Sequence, residues 1–128
     1  MPELPEVETT GRGIAPHIVG KTIKEVVVRH RQLRWAISSD FEANLFGERI
    51  ASVTRRAKYL LIKTSSGTLI AHLGMSGNLR IVDAISPVKK HDHVDIVFDE
   101  QTILRFNDQR RFGAVSYTHL TLPTNREV

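Results

Sequence analysis

The sequence predicts a mainly β fold with flanking helices, an antiparallel β-sandwich with one helix at its amino end. Three observations predict it. From about residue 23 onward, short runs rich in Val, Ile, Leu, Thr and aromatic residues recur at regular spacing. Gly, Ser, Asp and Asn punctuate those runs at turn-like positions. Helical periodicity is confined to the first 18 residues and one short later stretch.

Residues 5 to about 18 read as the first helix. Pro5 suits the first helical position, Glu6 and Glu8 favour the positive end of the helix dipole, and Val7, Ile14 and Ile18 share a face. Gly11, Gly13 and Pro16 oppose the helix, and Gly20 ends it. Ser39 and Glu42 have the spacing of a capping box at the start of a second, short helix, with Phe41 and Leu45 on its apolar side and Gly47 as its stop. Strands are expected at Ile23–Arg29, Ile50–Arg55, Tyr59–Thr64, Thr68–Leu73, Asn78–Val82, His93–Phe98 and Thr102–Phe106. In His93–Phe98 the alternation puts Val94, Ile96 and Phe98 on one face, leaving His93, Asp95 and Val97 for a solvated one.

At 128 residues the chain fits one domain with a modest core. No apolar run is long enough to span a bilayer as a helix, and the amino terminus has no signal-peptide pattern. The expectation is a cytoplasmic protein with no membrane partner. With no cysteine, disulfides and a thiolate zinc site within this chain are excluded. The 18 Lys and Arg outnumber the 14 Asp and Glu, giving a pI near 9.8. The excess is clustered at Arg29-His30-Arg31 with Arg34, at Arg55-Arg56-Ala57-Lys58, at Lys89-Lys90-His91 and at Arg110-Arg111. Each cluster lies at a strand edge or in a loop. Any one of them fits a solvated loop; four together point to a phosphate-binding face.

Pro2 carries the chemistry of greatest interest. Removal of Met1 would leave a secondary amine at the chain end, and amines attack carbonyl carbons to give Schiff bases. A terminal amine also titrates well below a lysine, roughly 8 against about 10.4, so more of it is neutral and reactive. By itself Pro2 equally fits a helix-entry residue. Glu3 adjoins it without the helix-dipole explanation that serves Glu6 and Glu8, and a carboxyl beside an amine nucleophile can protonate a leaving oxygen. His91-Asp92-His93 with Asp95 has some likeness to a metal cluster, which would make a metal-dependent hydrolase. No third ligand is evident, and the expectation is that these residues bind no metal.

Five motifs in order, PELPEVET from residue 2, RRAKYL at 55–60, HLGMSG at 72–77, KHDHVD at 90–95 and DQRRFGA at 108–114, resemble the formamidopyrimidine-DNA glycosylase family. The Leu4-Pro5 opening resembles its oxidised-purine branch. The resemblance implies a base-excision repair glycosylase with AP lyase activity that removes 8-oxoguanine and formamidopyrimidines from duplex DNA. It implies Pro2 as nucleophile, Glu3 as acid/base, Glu6 as a further functional carboxylate, and Lys58 near the lesion and its phosphates. His72, His91 and Arg111 match positions near the DNA backbone. Met75 and Phe112 match the residues that, with Arg110, fill the gap left by an extruded base. Without the family, Phe112 reads as a core aromatic, whereas Met75 between Gly74 and Gly77 sits in a poor place for core.

The likeness covers residues 2 to about 114, so residues 1–115 read as the family's amino-terminal catalytic domain. Residues 116–128 match no expected continuation and read as a tail from a cloning adaptor or a wrong frame. The second domain the family implies, with its helix–two-turns–helix element and zinc finger, is absent from this sequence. Zinc belongs to the full-length family and no cofactor is expected in this chain. A monomer acting on double-stranded DNA is expected, with an inactive fragment of weak nonspecific DNA affinity as the alternative.

Overall fold

The computed structural model describes residues 4–119, and two antiparallel four-stranded sheets face each other across one core. The elements run α1 (Leu4–Ile18), β1 (Glu25–Val28), α2 (Phe41–Leu45), β2 (Ile50–Arg56), β3 (Tyr59–Thr64), β4 (Gly67–His72), β5 (Asn78–Val82), β6 (Asp92–Asp99), β7 (Thr102–Asn107) and β8 (Ala114–His119). One sheet has the order β1-β6-β7-β5 and the other β2-β3-β4-β8. Leu60, Ile62, Leu69 and Ala71 of the second sheet bury against the same core as Leu79, Val94, Ile96, Leu104 and Phe106 of the first.

A sandwich leaves two open sides, and each helix closes one. Helix α1 packs on the edge strands β2 and β5, burying the Val7, Ile14 and Ile18 stripe that its periodicity predicts. Gly11 earns its place here, since a Cβ on it would lie 3.0 Å from the Leu60 side chain. Helix α2 sits against β1 and β8 on the other side, with Phe41 and Leu45 buried. The sheet edges are thus covered by helix rather than left as templates for pairing.

The structure corrects the sequence reading at four places. No side-chain cap opens α2: Asp40 holds the N-cap position, and Glu42 is bonded to Arg31 instead of closing a capping box with Ser39. Ile23 is buried outside β1, its backbone bonded to Gly47 and Glu48, so the strand starts later than expected. The second face of β6 is not solvated. His93 and Asp95 are buried there, because Arg105 of β7 packs over Asp95 and the 83–91 loop closes above them. Finally β8, which the sequence reading assigned no strand, pairs with β4 from Gly67↔His119 to His72↔Ala114.

Candidate functional site

Strand pairing and loop contacts draw five separated loops to one end of the sandwich. Strands β2 and β3 are joined through Arg56↔Tyr59 by a two-residue turn, Ala57-Lys58. Ala57 has a φ of 53°, in the region glycine normally fills, which closes the turn and leaves Lys58 exposed at its tip. Tyr59 pairs with His72, and His72 pairs with Ala114, so β4 ends beside the 108–113 loop. The amide of Arg34 donates to Gly113 O (3.1 Å), the amide of Arg29 to His93 O (2.7 Å), and the amide of Asp108 to His91 O (3.1 Å). The result is one continuous rim carrying Arg34, Lys58, Met75, Lys89, Lys90, His91, Arg110, Arg111 and Phe112.

Helix α1 leads to the same rim. The Gly20 amide bonds to Ile50 O at the start of β2, while Glu8 accepts from Arg55 (3.1 Å) near its end. The helix therefore lies along β2 with its amino end at the Lys58 turn. Glu8 also pairs with Arg12 (2.7 Å), and the Arg55 hydrogen bond and Arg12 charge hold its carboxyl below the ordinary glutamate range. Glu6 is exposed in the first turn of α1. Pro2 and Glu3 lie outside the described residues.

Two turns on this rim are in direct contact. A Cβ on Gly74 (φ 65°) would meet Gly113 N at 2.6 Å and the Phe112 carbonyl carbon at 2.6 Å, so only glycine permits this crossing. The large apolar side chains beside the crossing point outward: Met75 is 49% exposed and Phe112 47%. Phe112 is thus a rim residue, not core. Trp35, 38% exposed, stacks on Tyr59 with ring centroids 6.3 Å apart.

His72 is buried at the base of this crossing. Its Nδ1 accepts the Gly74 amide (3.2 Å), which places the ring proton on Nε2. Burial, reinforced by the charges of Arg34 and Lys58, lowers its pKa and favours the neutral ring. His93, fully buried, donates from Nε2 to Asp108 O (2.6 Å), and burial likewise lowers its pKa. Its Nδ1 has no hydrogen-bond partner among the described residues.

Part of the predicted basic face is occupied by ion pairs. Arg29 pairs with Asp95 (2.8 Å), Arg31 with Glu42, and Arg55 with Glu8. Asp95 also receives two bonds from buried Arg105, at 2.9 and 3.0 Å. Burial would raise the Asp95 pKa, but the hydrogen bonds of Arg105 and Arg29 outweigh it and hold it low. Asp92 is held in the same network by Asn107 (2.8 Å) and the Lys89 amide (2.7 Å). The aspartates of KHDHVD therefore serve arginines and the loop backbone. Among the described residues no three His, Asp or Glu side chains converge as a metal site requires.

A model of the formamidopyrimidine-DNA glycosylase N-terminal domain matches residues 1–115. The chain belongs to this family. It is 60% identical to the formamidopyrimidine-DNA glycosylase of Stutzerimonas stutzeri over 92% of its own length and 44% of the relative's. With that of Alteromonas mediterranea the identity is 57% over 98% of this chain and 48% of the relative. The chain thus spans just under half the length of the curated relatives it matches. Among solved structures, a Lactococcus lactis formamidopyrimidine-DNA glycosylase bound non-covalently to DNA with an abasic site superposes with a TM-score of 0.84 at 32% identity, covering 92% of this chain and 45% of that one. The same values describe MutM in complex with DNA carrying carbocyclic 8-oxoguanine. These likenesses confirm the predicted fold class and family.

Sequence reasoning missed Asp108 and Ser76, which the structure places between the two crossing turns. Both lie inside quoted motifs, but their signal there is only that of turn formers. Trp35 and Tyr59 were also passed over, because nothing in their spacing shows that the 30–37 loop folds back onto β3.

Proposed function

We propose that this chain is the catalytic half of a DNA glycosylase for oxidised purines, and that the rim is its DNA face. One observation carries the reading: two exposed apolar side chains, Met75 and Phe112, stand together amid exposed Arg and Lys, at the end of the fold where α1 begins. Basic side chains hold phosphates, and an apolar pair projecting between them suits the gap left by an extruded base. The relatives' complexes with abasic-site and 8-oxoguanine DNA support the same partner for this chain.

In this reading 8-oxoguanine and formamidopyrimidines are the bases removed. After loss of Met1, the Pro2 nitrogen attacks C1′ of the extruded nucleotide and the damaged base departs. Glu3 protonates O4′ as the C1′–O4′ bond opens, giving an iminium at C1′. Loss of a C2′ proton expels the 3′ phosphate, a second elimination expels the 5′ phosphate, and water releases the sugar remnant and restores the amine. Glu6 supports the reacting end. Lys58, His72, His91, Arg110 and Arg111 hold DNA, the neutral His72 as an Nε2–H donor. Met75 and Phe112 fill the gap. The family's zinc finger does not fit this sequence, which has no cysteine, and no step is routed through a metal. Residues 116–128 are taken as a non-family tail, which sequencing of the source gene across codon 115 tests.

Borohydride trapping on a duplex with an abasic site, followed by mass spectrometry of the adduct, tests the chemistry. A crosslink at Pro2 is the expected result. The chain's length, under half that of its relatives, favours one rival: a fragment that binds DNA weakly without reacting. Absence of a crosslink, while a full-length relative traps normally, would establish that rival.

A further inference from the structure

Asp108 is a fully buried carboxylate whose side-chain hydrogen-bond partners, among the described residues, all belong to the two crossing turns. Its Oδ1 accepts from Ser76 Oγ (2.6 Å) beside Met75 and from the Arg110 amide (3.2 Å), and its Oδ2 accepts from the Gly113 amide (2.6 Å). Ser76 Oγ in turn accepts from the Arg110 amide (3.2 Å). Below, the Asp108 backbone is fixed on both sides, its amide on His91 O and its carbonyl under the buried His93 ring. One residue thus ties together the Met75 turn, the Arg110–Phe112 loop and the segment carrying His91.

The loop between these ties is strained. Arg111 has a φ of 59°, a left-handed conformation uncommon for a residue with a Cβ, and it sits between the two amides that Asp108 holds. Such a conformation persists only where its surroundings fix it from both sides. A buried carboxylate also carries a desolvation cost that an apolar core residue would not. The hydrogen bonds it receives are of the strong, charge-assisted kind, and they are spent on exposed loops that contribute little burial.

We infer that Asp108 is a positioning residue, which locks the Met75 turn and the Arg110–Phe112 loop into one rigid wedge that enters the duplex as a unit. The inference rests on the DNA reading above and adds to it the group that sets the wedge's geometry. Asp108 itself touches no DNA.

The test compares affinity for a duplex bearing a tetrahydrofuran abasic analogue with that for the matched undamaged duplex, using the 128-residue chain. Wedge insertion enters the ratio of the two affinities. A variant that only lowers the folded fraction reduces both affinities alike and leaves the ratio unchanged. Asp108→Ala is expected to lower the ratio by about tenfold, since it removes several charge-assisted bonds at once. Ser76→Ala, which cuts only the bridge between the turns, is expected to lower it by about threefold. Should Asp108→Ala fail to fold, Ser76→Ala decides. Ratios that stay at the wild-type value in the folded variants would overturn the inference alone. A wild-type chain with no preference for the abasic duplex would overturn the DNA reading as well.

Discussion

At the end of the sandwich where Ser65 and Ser66 join β3 to β4, polar groups converge inward on a single carboxylate. Glu48 Oε1 accepts from Thr64 Oγ1 (2.8 Å), Ser65 Oγ (3.1 Å), the Ser66 amide (2.8 Å) and the Tyr117 hydroxyl (3.1 Å), while Oε2 accepts from Ser66 Oγ (3.1 Å). At the opposite end Asp108 plays a similar geometric part, but what it gathers are loops whose cations and apolar side chains face outward. The same device, a carboxylate collecting donors from several segments, closes the fold at one end and presents a surface at the other. The difference teaches where to look for function: the Glu48 end turns its polar groups inward on one carboxylate, and the rim carries exposed cations and apolar side chains outside its own network of bonds.

Removing the Glu48 carboxylate should therefore cost stability and leave DNA binding untouched. Glu48→Ala removes the charged acceptor shared by Thr64, Ser65, Ser66 and Tyr117 and is expected to destabilise the fold by about 2–3 kcal/mol, read by urea denaturation. A loss of duplex affinity in the folded variant would break the division between the two ends. Substitution at the rim should do the reverse. Lys89→Ala with Lys90→Ala is expected to leave the unfolding midpoint in place. The slope of log affinity against log salt should become shallower by up to about 2, the count of phosphate contacts removed. An unchanged slope would take the 83–91 loop out of the proposed DNA face.

The pH dependence of stability sharpens the same contrast. Burial would raise the Glu48 pKa, but the bonds from Thr64, Ser66 and Tyr117 outweigh it, so its folded value lies below the ordinary one. A depressed carboxylate pKa means a contribution that is fully present above the unfolded value, near 4.3, and lost as pH falls through the folded value. Wild type and Glu48→Gln should differ in Tm at neutral pH, and the gap should narrow as pH drops below about 4. A gap that is constant with pH would mean that the carboxylate's charge is not what holds this end.

How much of this was legible in the sequence differs between the two ends. The strand pattern and the α1 stripe were legible because burial imposes period on sequence, and Val7, Ile14 and Ile18 lie where that period puts them. Met75 was legible as exposed because it stands in a glycine-bounded turn. The second face of β6 was misread because His93 and Asp95 look polar. Their burial depends on Arg105 and on a loop that returns from far along the chain, and alternation carries no information about that. Glu48 and Asp108 were invisible for the same reason. Their roles consist of contacts to residues as distant as Tyr117 and Ser76, and no local spacing encodes them.

A small expected effect on stability bears most directly on the rim. Met75 and Phe112 are apolar, and an apolar side chain that packs in a core loses several kcal/mol on truncation; Phe106→Ala, at 1% exposure, should cost about 3–5 kcal/mol. Met75 and Phe112 leave about half their surface in water, so Met75→Ala with Phe112→Ala removes little burial. Its predicted change in unfolding free energy is within about 0.5 kcal/mol, the range of ordinary surface substitutions. The measurement is a urea titration followed by the fluorescence of Trp35, the sole tryptophan. A cost of about 2 kcal/mol or more would return both residues to the core and leave the rim without its wedge. Near-neutrality would mean that the fold gains nothing from exposing them. Two large apolar side chains that the fold does not need, set side by side among cations, then require a partner to account for their place.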